Sequence, residues 1–202
     1  MPVPTTDDEM RSAGGLDEAV GIGPLVATRP TFTAVPVAVI VAVLLVAGPD
    51  PHVWLLVPAL ALAAAVAAVD AVHGRLPDPA VALVALVGLV GGALFAGAAG
   101  IEGWVTGAIA GAAPMLVLHL VSPCAMGFGD VKFASALGGV LGSLGSDLAT
   151  SALMVTLALA LASALALIAG AAVRRCGLAF GPWLFLGASI AFVLAATTGV
   201  VR

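Results

Sequence analysis

Apolar stretches of membrane-crossing length follow one another along most of this chain, and no other feature limits its fold so strongly. A spanning helix needs about 20 apolar residues, within a range of about 17–25. Stretches of that kind cover residues 32–48, 53–70, 79–98, 103–121, 148–173 and 183–201. A shorter one, 131–145, begins with Val131 and Lys132 and has the length of a tilted or partly re-entrant helix. Of 202 residues, 62% are hydrophobic and only 9% charged. That is too little charge to clothe a soluble surface. The predicted fold class is therefore all-α, a polytopic transmembrane helix bundle of about seven helices.

Residues 1–30 are polar and acidic, with Asp7, Asp8, Glu9, Asp17 and Glu18. No basic segment leads into an apolar core there, so the stretch does not read as a secretory signal. It is expected to be a flexible cytoplasmic tail, with 31–202 as the membrane domain. Turn residues separate the spans. Gly48-Pro49-Asp50-Pro51 is a turn, Pro77-Asp78-Pro79 forbids continuous helix, and Gly181-Pro182 opens the last span with proline in the first turn.

Orientation follows from the basic residues. With the 131–145 segment crossing, Arg11, Arg29, Arg75, Lys132, Arg174 and Arg175 share one side, and only Arg202 lies on the other. Asp50, Glu102 and Asp147 fall in the opposite loops. The N-terminus and the loops near 75, 127 and 177 are therefore expected in the cytoplasm. Glycines recur at the spacing that lets helices approach closely in lipid: Gly103, Gly107 and Gly111, then Gly88 and Gly92, and Gly138 and Gly142. They predict tight packing and carry no chemistry. The net charge of −4 and the absence of a basic run give no support to nucleic-acid binding. Cys124 and Cys176 form no CxxC pair.

Two carboxylates stand out. Asp70 ends the apolar run Val53–Val69, and Asp130 sits in Gly127-Phe128-Gly129-Asp130-Val131-Lys132. Carboxylates at or within a membrane are costly and point to function. Each also has an ordinary reading: Asp70 as an interfacial residue at a helix end, Asp130 as a helix N-cap. The surrounding residues weigh against both. Asp70 is followed by Ala71-Val72-His73-Gly74-Arg75-Leu76-Pro77-Asp78, Asp130 lies in a GxGD pattern followed by Val131-Lys132, and a third patch, Phe180-Gly181-Pro182-Trp183-Leu184, opens the last span.

In this order and spacing the three patches resemble the type IV prepilin peptidase family, which includes the archaeal preflagellin peptidases. In that family an Asp precedes a basic stretch and an Ile/Leu-Pro-Asn/Asp motif, then come GxGD with Val-Lys and, near the C-terminus, FGP. The resemblance covers about residues 53–201 and marks 31–202 as a prepilin-peptidase-like domain. It implies a membrane aspartyl endopeptidase that removes the leader of prepilin-like proteins at the cytoplasmic face of the cell (inner) membrane. Its partners would be pilin-like substrates and membrane lipid. Asp70 and Asp130 carry over as the catalytic pair, and Gly127 and Gly129 as the GxGD glycines.

Lys132 and Arg75 are candidates to tune that pair or to hold the substrate, or else to anchor helix ends at the membrane surface. His119 is expected to pack at the interface. The longer bacterial relatives carry a cytosolic domain with paired CxxC motifs, linked to N-methylation; these 202 residues contain none, so methylation is not implied. The span 32–48 is also additional to a six-span core.

The chemistry fits elementary reasoning. Two neighbouring carboxylates do not both ionise easily, so they share a proton and titrate as a pair. One then acts as general base on a water while the other hydrogen-bonds the scissile carbonyl oxygen. Gly127 and Gly129 are expected to leave room for a substrate strand and to permit unusual backbone angles. Such a site requires no metal and no nucleotide. The main alternative is a small proton- or ion-coupled transporter with Asp70 and Asp130 as its relay, although no internal repeat of the transporter kind is visible. Two others are an assembly subunit retaining the fold, against which both aspartates speak, and a presenilin-type protease, whose Tyr-Asp motif is impossible in a chain without tyrosine.

Overall fold

The computed structural model describes residues 51–121, 127–145 and 180–198, and part of 155–163. All regular structure among these residues is helical. Five helices are complete: α1 Pro51–His73, α2 Asp78–Ala96, α3 Ala98–Val121, α4 Phe128–Gly142 and α5 Gly181–Thr198. They fall on five of the expected spans, including the short one at 131–145. The tail 1–30 and the span 32–48 lie outside the described residues, and within 148–173 only the helical residues of 155–163 are described.

Local chemistry sets the breaks. α1 stops where Gly74 turns left-handed at φ 60° and its N–H donates to the Asp70 carbonyl at 2.8 Å. Such a φ strains any residue with a Cβ, which is why glycine commonly closes a helix in this way. Pro77 then caps α2, with Pro79 in the first turn. α2 and α3 are separated by Gly97 alone, again left-handed at φ 57°.

α3 and α4 form the most closely packed pair, and glycine is the reason. A Cβ on Gly107 would fall on the Gly138 carbonyl oxygen, one on Gly111 on that of Ala134, and one on Gly142 on that of Gly103. The two predicted ridges therefore interlock backbone to backbone, antiparallel. Close approach of this kind is what small residues make possible between helices in lipid. Gly88 and Gly92 do not meet a glycine ridge of α4. Gly88 faces Val140 and Trp104, while Gly92 faces Ser143 and Gly100.

These contacts fix the directions of the helices. The C-terminal end of α1 and the N-terminal ends of α2, α4 and α5 lie together, joined by contacts described below. α3, antiparallel to α4, brings its last turns to the same end, where His119 and Phe128 stand 5.7 Å apart, ring centre to ring centre. α4 runs away from that end and Gly181 lies back at it, so the chain returns between Gly145 and Phe180. Val155, Ala158 and Ala162, helical and buried, lie on that return, with Ala158 and Ala162 against Gly187 of α5.

α2 and α3 are long and apolar enough to cross a membrane, with mean hydropathy 2.3 and 1.7 over windows of which only 28% and 22% are buried. Their outward residues are large and apolar: Leu83, Leu86, Val90 and Leu94 on α2, and Ile101, Val105 and Ile109 on α3. The buried core instead centres on α4, where Val131, Phe133, Leu137, Val140 and Leu141 are enclosed. Apolar residues both inside and outside are what lipid surroundings demand of a helix bundle.

Candidate active site

Two carboxylates are buried where the helix ends meet. Asp70, in the last turn of α1, is 4% exposed, and Asp130, in the first turn of α4, is 8% exposed. Among the described residues no other Asp or Glu is buried. The two lie close enough for the charge of Asp70 to act on Asp130.

Each carboxylate is held by a glycine amide at a helix start. The Gly181 N–H donates to Asp70 Oδ2 at 2.9 Å, and the Gly127 N–H donates to Asp130 Oδ2 at 3.2 Å. The first N–H groups of a helix have no partner within the helix and carry its positive partial charge, so both are natural donors to a carboxylate. A side chain on Gly181 would have to displace Asp70. A Cβ would stand 2.7 Å from Asp70 Oδ2 and 3.1 Å from its Cβ. Among the described residues, the second oxygen of each carboxylate, Oδ1, has no hydrogen-bond partner.

The ordinary reading of Asp130 was a helix N-cap, against which its neighbours in sequence weighed. Gly127 takes that position instead, and Asp130 is the third residue of the helix, reaching back to the cap amide. Gly127 itself is extended, at φ −73° and ψ 151°, and Gly129 is helical. Neither uses the unusual angles expected of it. The space beside Gly129 is filled by Leu76, whose Cβ would lie 3.2 Å from an added Cβ. These glycines thus let Asp130 fold back on its cap and let the loop after α1 lie against α4.

Lys132 does not reach the carboxylate pair. Its Nζ forms an ion pair with Asp78 Oδ2 at 2.8 Å and lies 5.4 Å from the centre of the Phe128 ring. Arg75 is exposed beside Gly74 and has no ion-pair partner among the described residues. Sequence reasoning placed Gly181 and Asp78 in the motif patches but gave neither a part in the site. The signal for Gly181 was present, since a glycine at the start of a helix, before proline, offers an amide that nothing hinders. Among the described residues no group of three His, Cys, Asp or Glu gathers to hold a metal ion.

Comparison with protein-family models, with curated proteins and with solved structures finds no match for this chain.

Proposed function

We propose that the chain is a membrane aspartyl endopeptidase that removes the leader of prepilin-like proteins at the cytoplasmic face. The observation that carries this reading is the pair of buried carboxylates, Asp70 and Asp130, each anchored through one oxygen to a glycine amide. An interfacial anchor would leave its carboxylate in water, and a simple cap would need only one of the two. The sequence patches described above supply the substrate class.

In the proposed reaction the pair holds one proton. The ionised carboxylate takes a proton from water as the oxygen attacks the scissile carbonyl carbon. The protonated partner hydrogen-bonds the carbonyl oxygen and stabilises the charge that develops there. The tetrahedral intermediate then collapses, the C–N bond breaks, and the leaving nitrogen takes the proton that the first carboxylate drew from water, so the pair again holds one proton. The amides of Gly181 and Gly127 orient the two groups throughout and leave Oδ1 of each for the chemistry. The direct test is co-expression with candidate prepilins, read by a gel shift for leader loss. A full panel that stays unprocessed in the presence of the membrane-inserted protein would overturn the assignment.

Orientation is part of the proposal. The carboxylate end of the bundle carries Arg75 and Lys132, and Glu102 is exposed near the other end. In a background with Cys124 and Cys176 replaced by serine, Arg75→Cys should label from the cytoplasmic side only and Glu102→Cys from the outer side only. The reverse pattern would put the site out of reach of leaders in the cytoplasm.

Gly181→Ala is expected to lower cleavage by about tenfold to a hundredfold, because displacing a reacting group by about 1 Å can cost that much. The added methyl has to push the Asp70 carboxylate off the helix start. Cleavage at the wild-type rate by this variant in prepilin-processing membranes would show that the Asp70–Gly181 contact has no part in the reaction.

A further inference from the structure

The helices that carry the two aspartates, α1 and α4, touch each other only slightly. Their spacing must therefore be set by third parties. Asp70 is tied to α5 by the Gly181 amide. Asp130 belongs to α4, which is locked to α3 by the glycine ridges. α2 packs against both α1 and α4, and α5 touches both as well; at the end where the aspartates lie, the short segment Gly74–Asp78 leads from α1 into α2 and meets the first turns of α4. Leu76 lies against Gly129, and Asp78 Oδ2 pairs with Lys132 Nζ at 2.8 Å.

We infer that Asp78 and Lys132 are positioning residues for the aspartate pair, their ion pair pinning the segment after α1 to the start of α4. The inference rests on the peptidase reading and extends it to two residues that touch neither carboxylate. Lys132 sits two residues after Asp130, and Asp78 is the first residue of α2. The pair thus closes a loop that runs from Asp70 through the turn at Gly74 to Asp130. The side chains of Lys132 and Asp78 are 40% and 65% exposed, so the pair adds little to global stability. Its effect falls on local geometry: without it, the segment is held to the start of α4 by Leu76 and by the packing of α2, and the spacing of the carboxylates is set less tightly. A reacting group misplaced by about 1 Å can cost about a hundredfold in rate.

A positioning role and a substrate-holding role for Lys132 differ in what they change. Loss of a positioning contact lowers kcat and leaves KM, whereas loss of a substrate contact raises KM. Asp78→Asn and Lys132→Gln are each expected to lower kcat about tenfold or more, with KM and the thermal midpoint in detergent near wild type. Asp78→Glu, which can keep the pair, and the exchange Asp78→Lys with Lys132→Asp should both recover most of the rate.

A second measurement does not depend on catalysis. Spin labels at Val72→Cys on α1 and Leu120→Cys on α3, both exposed sites, report the spacing of the two halves in a background with Cys124 and Cys176 replaced by serine. The distance distribution should be narrow with the native pair, broaden in Asp78→Asn and narrow again in the exchange. An unchanged distribution in Asp78→Asn would overturn the inference. So would a rise in KM for Lys132→Gln beside a wild-type Asp78→Asn, which would make Lys132 a substrate contact. If the unaltered protein cleaves no prepilin, the peptidase reading fails, while the label distances still decide whether the pair sets the spacing.

Discussion

Asp70→Asn and Asp130→Asn should each insert in the membrane at wild-type levels and lose prepilin cleavage by about 10⁴-fold or more, the scale seen when one member of a catalytic unit is removed. Asparagine keeps the size of the side chain and an oxygen to accept the glycine N–H, so the anchors at Gly181 and Gly127 survive. What disappears is the group that can hold or give up a proton. In the proposed reaction both residues act in one step, so the double variant should be hardly worse than either single one. The assay is leader removal in membranes, with protein levels checked by immunoblot. Wild-type cleavage by either variant would exclude the aspartyl mechanism and return both residues to structural duty. Independent, multiplying losses in the double variant would indicate two separate roles, as in a relay for ions.

The second large effect concerns packing. Gly107→Leu and Gly138→Leu are expected to destabilise the bundle by about 1–3 kcal/mol or more, the usual range for overpacking. The obstruction is backbone on both sides: a Cβ on Gly107 meets the Gly138 carbonyl oxygen and lies 2.8 Å from Gly142 Cα. No rotamer change relieves that, so α3 and α4 must move apart. The thermal midpoint in detergent should fall on the order of 5 °C or more, and cleavage should fall with it as Asp130 shifts. Ala113→Leu, on the outward face of α3, serves as the control and should be tolerated. Equal tolerance of Gly107→Leu would show that the helices do not interlock in the membrane.

The helix ends and the glycine ridges were legible because they are local properties. Pro77 and Pro182 mark boundaries through their own backbone chemistry, and a glycine every fourth residue needs no partner to be recognised. Which ridge meets which was not legible. Gly138 and Gly142 pair with the ridge of α3, yet Gly88 and Gly92 pack on Val140, Trp104, Ser143 and Gly100, because the identity of the facing helix depends on the whole topology. The site divides in the same way. Asp70 and Asp130 could be picked out from their neighbours in sequence. The Asp70–Gly181 bond joins residues 111 positions apart and exists only once α5 has docked. The partner of Lys132 was hidden for a similar reason: Asp78 comes from another helix, 54 positions away.

The interlocked ridges also set a depth. Gly107 faces Gly138 and Gly111 faces Ala134, so in the same antiparallel register Asp130 lies level with Met115. α3 continues six residues past Met115 to Val121, about 9 Å at 1.5 Å per residue. Those turns expose Leu116, Val117, Leu118, Leu120 and Val121, side chains that belong among acyl tails rather than in cytosol. With the proposed orientation, Asp130 then lies about 9 Å inward of the cytoplasmic end of α3. On the peptidase reading, both water and the scissile bond have to descend to that level from the cytoplasmic side. On that reading the site would work as a ruler, with the bond it cuts set by the distance from the cytoplasmic end of α3 down to the level of Asp130.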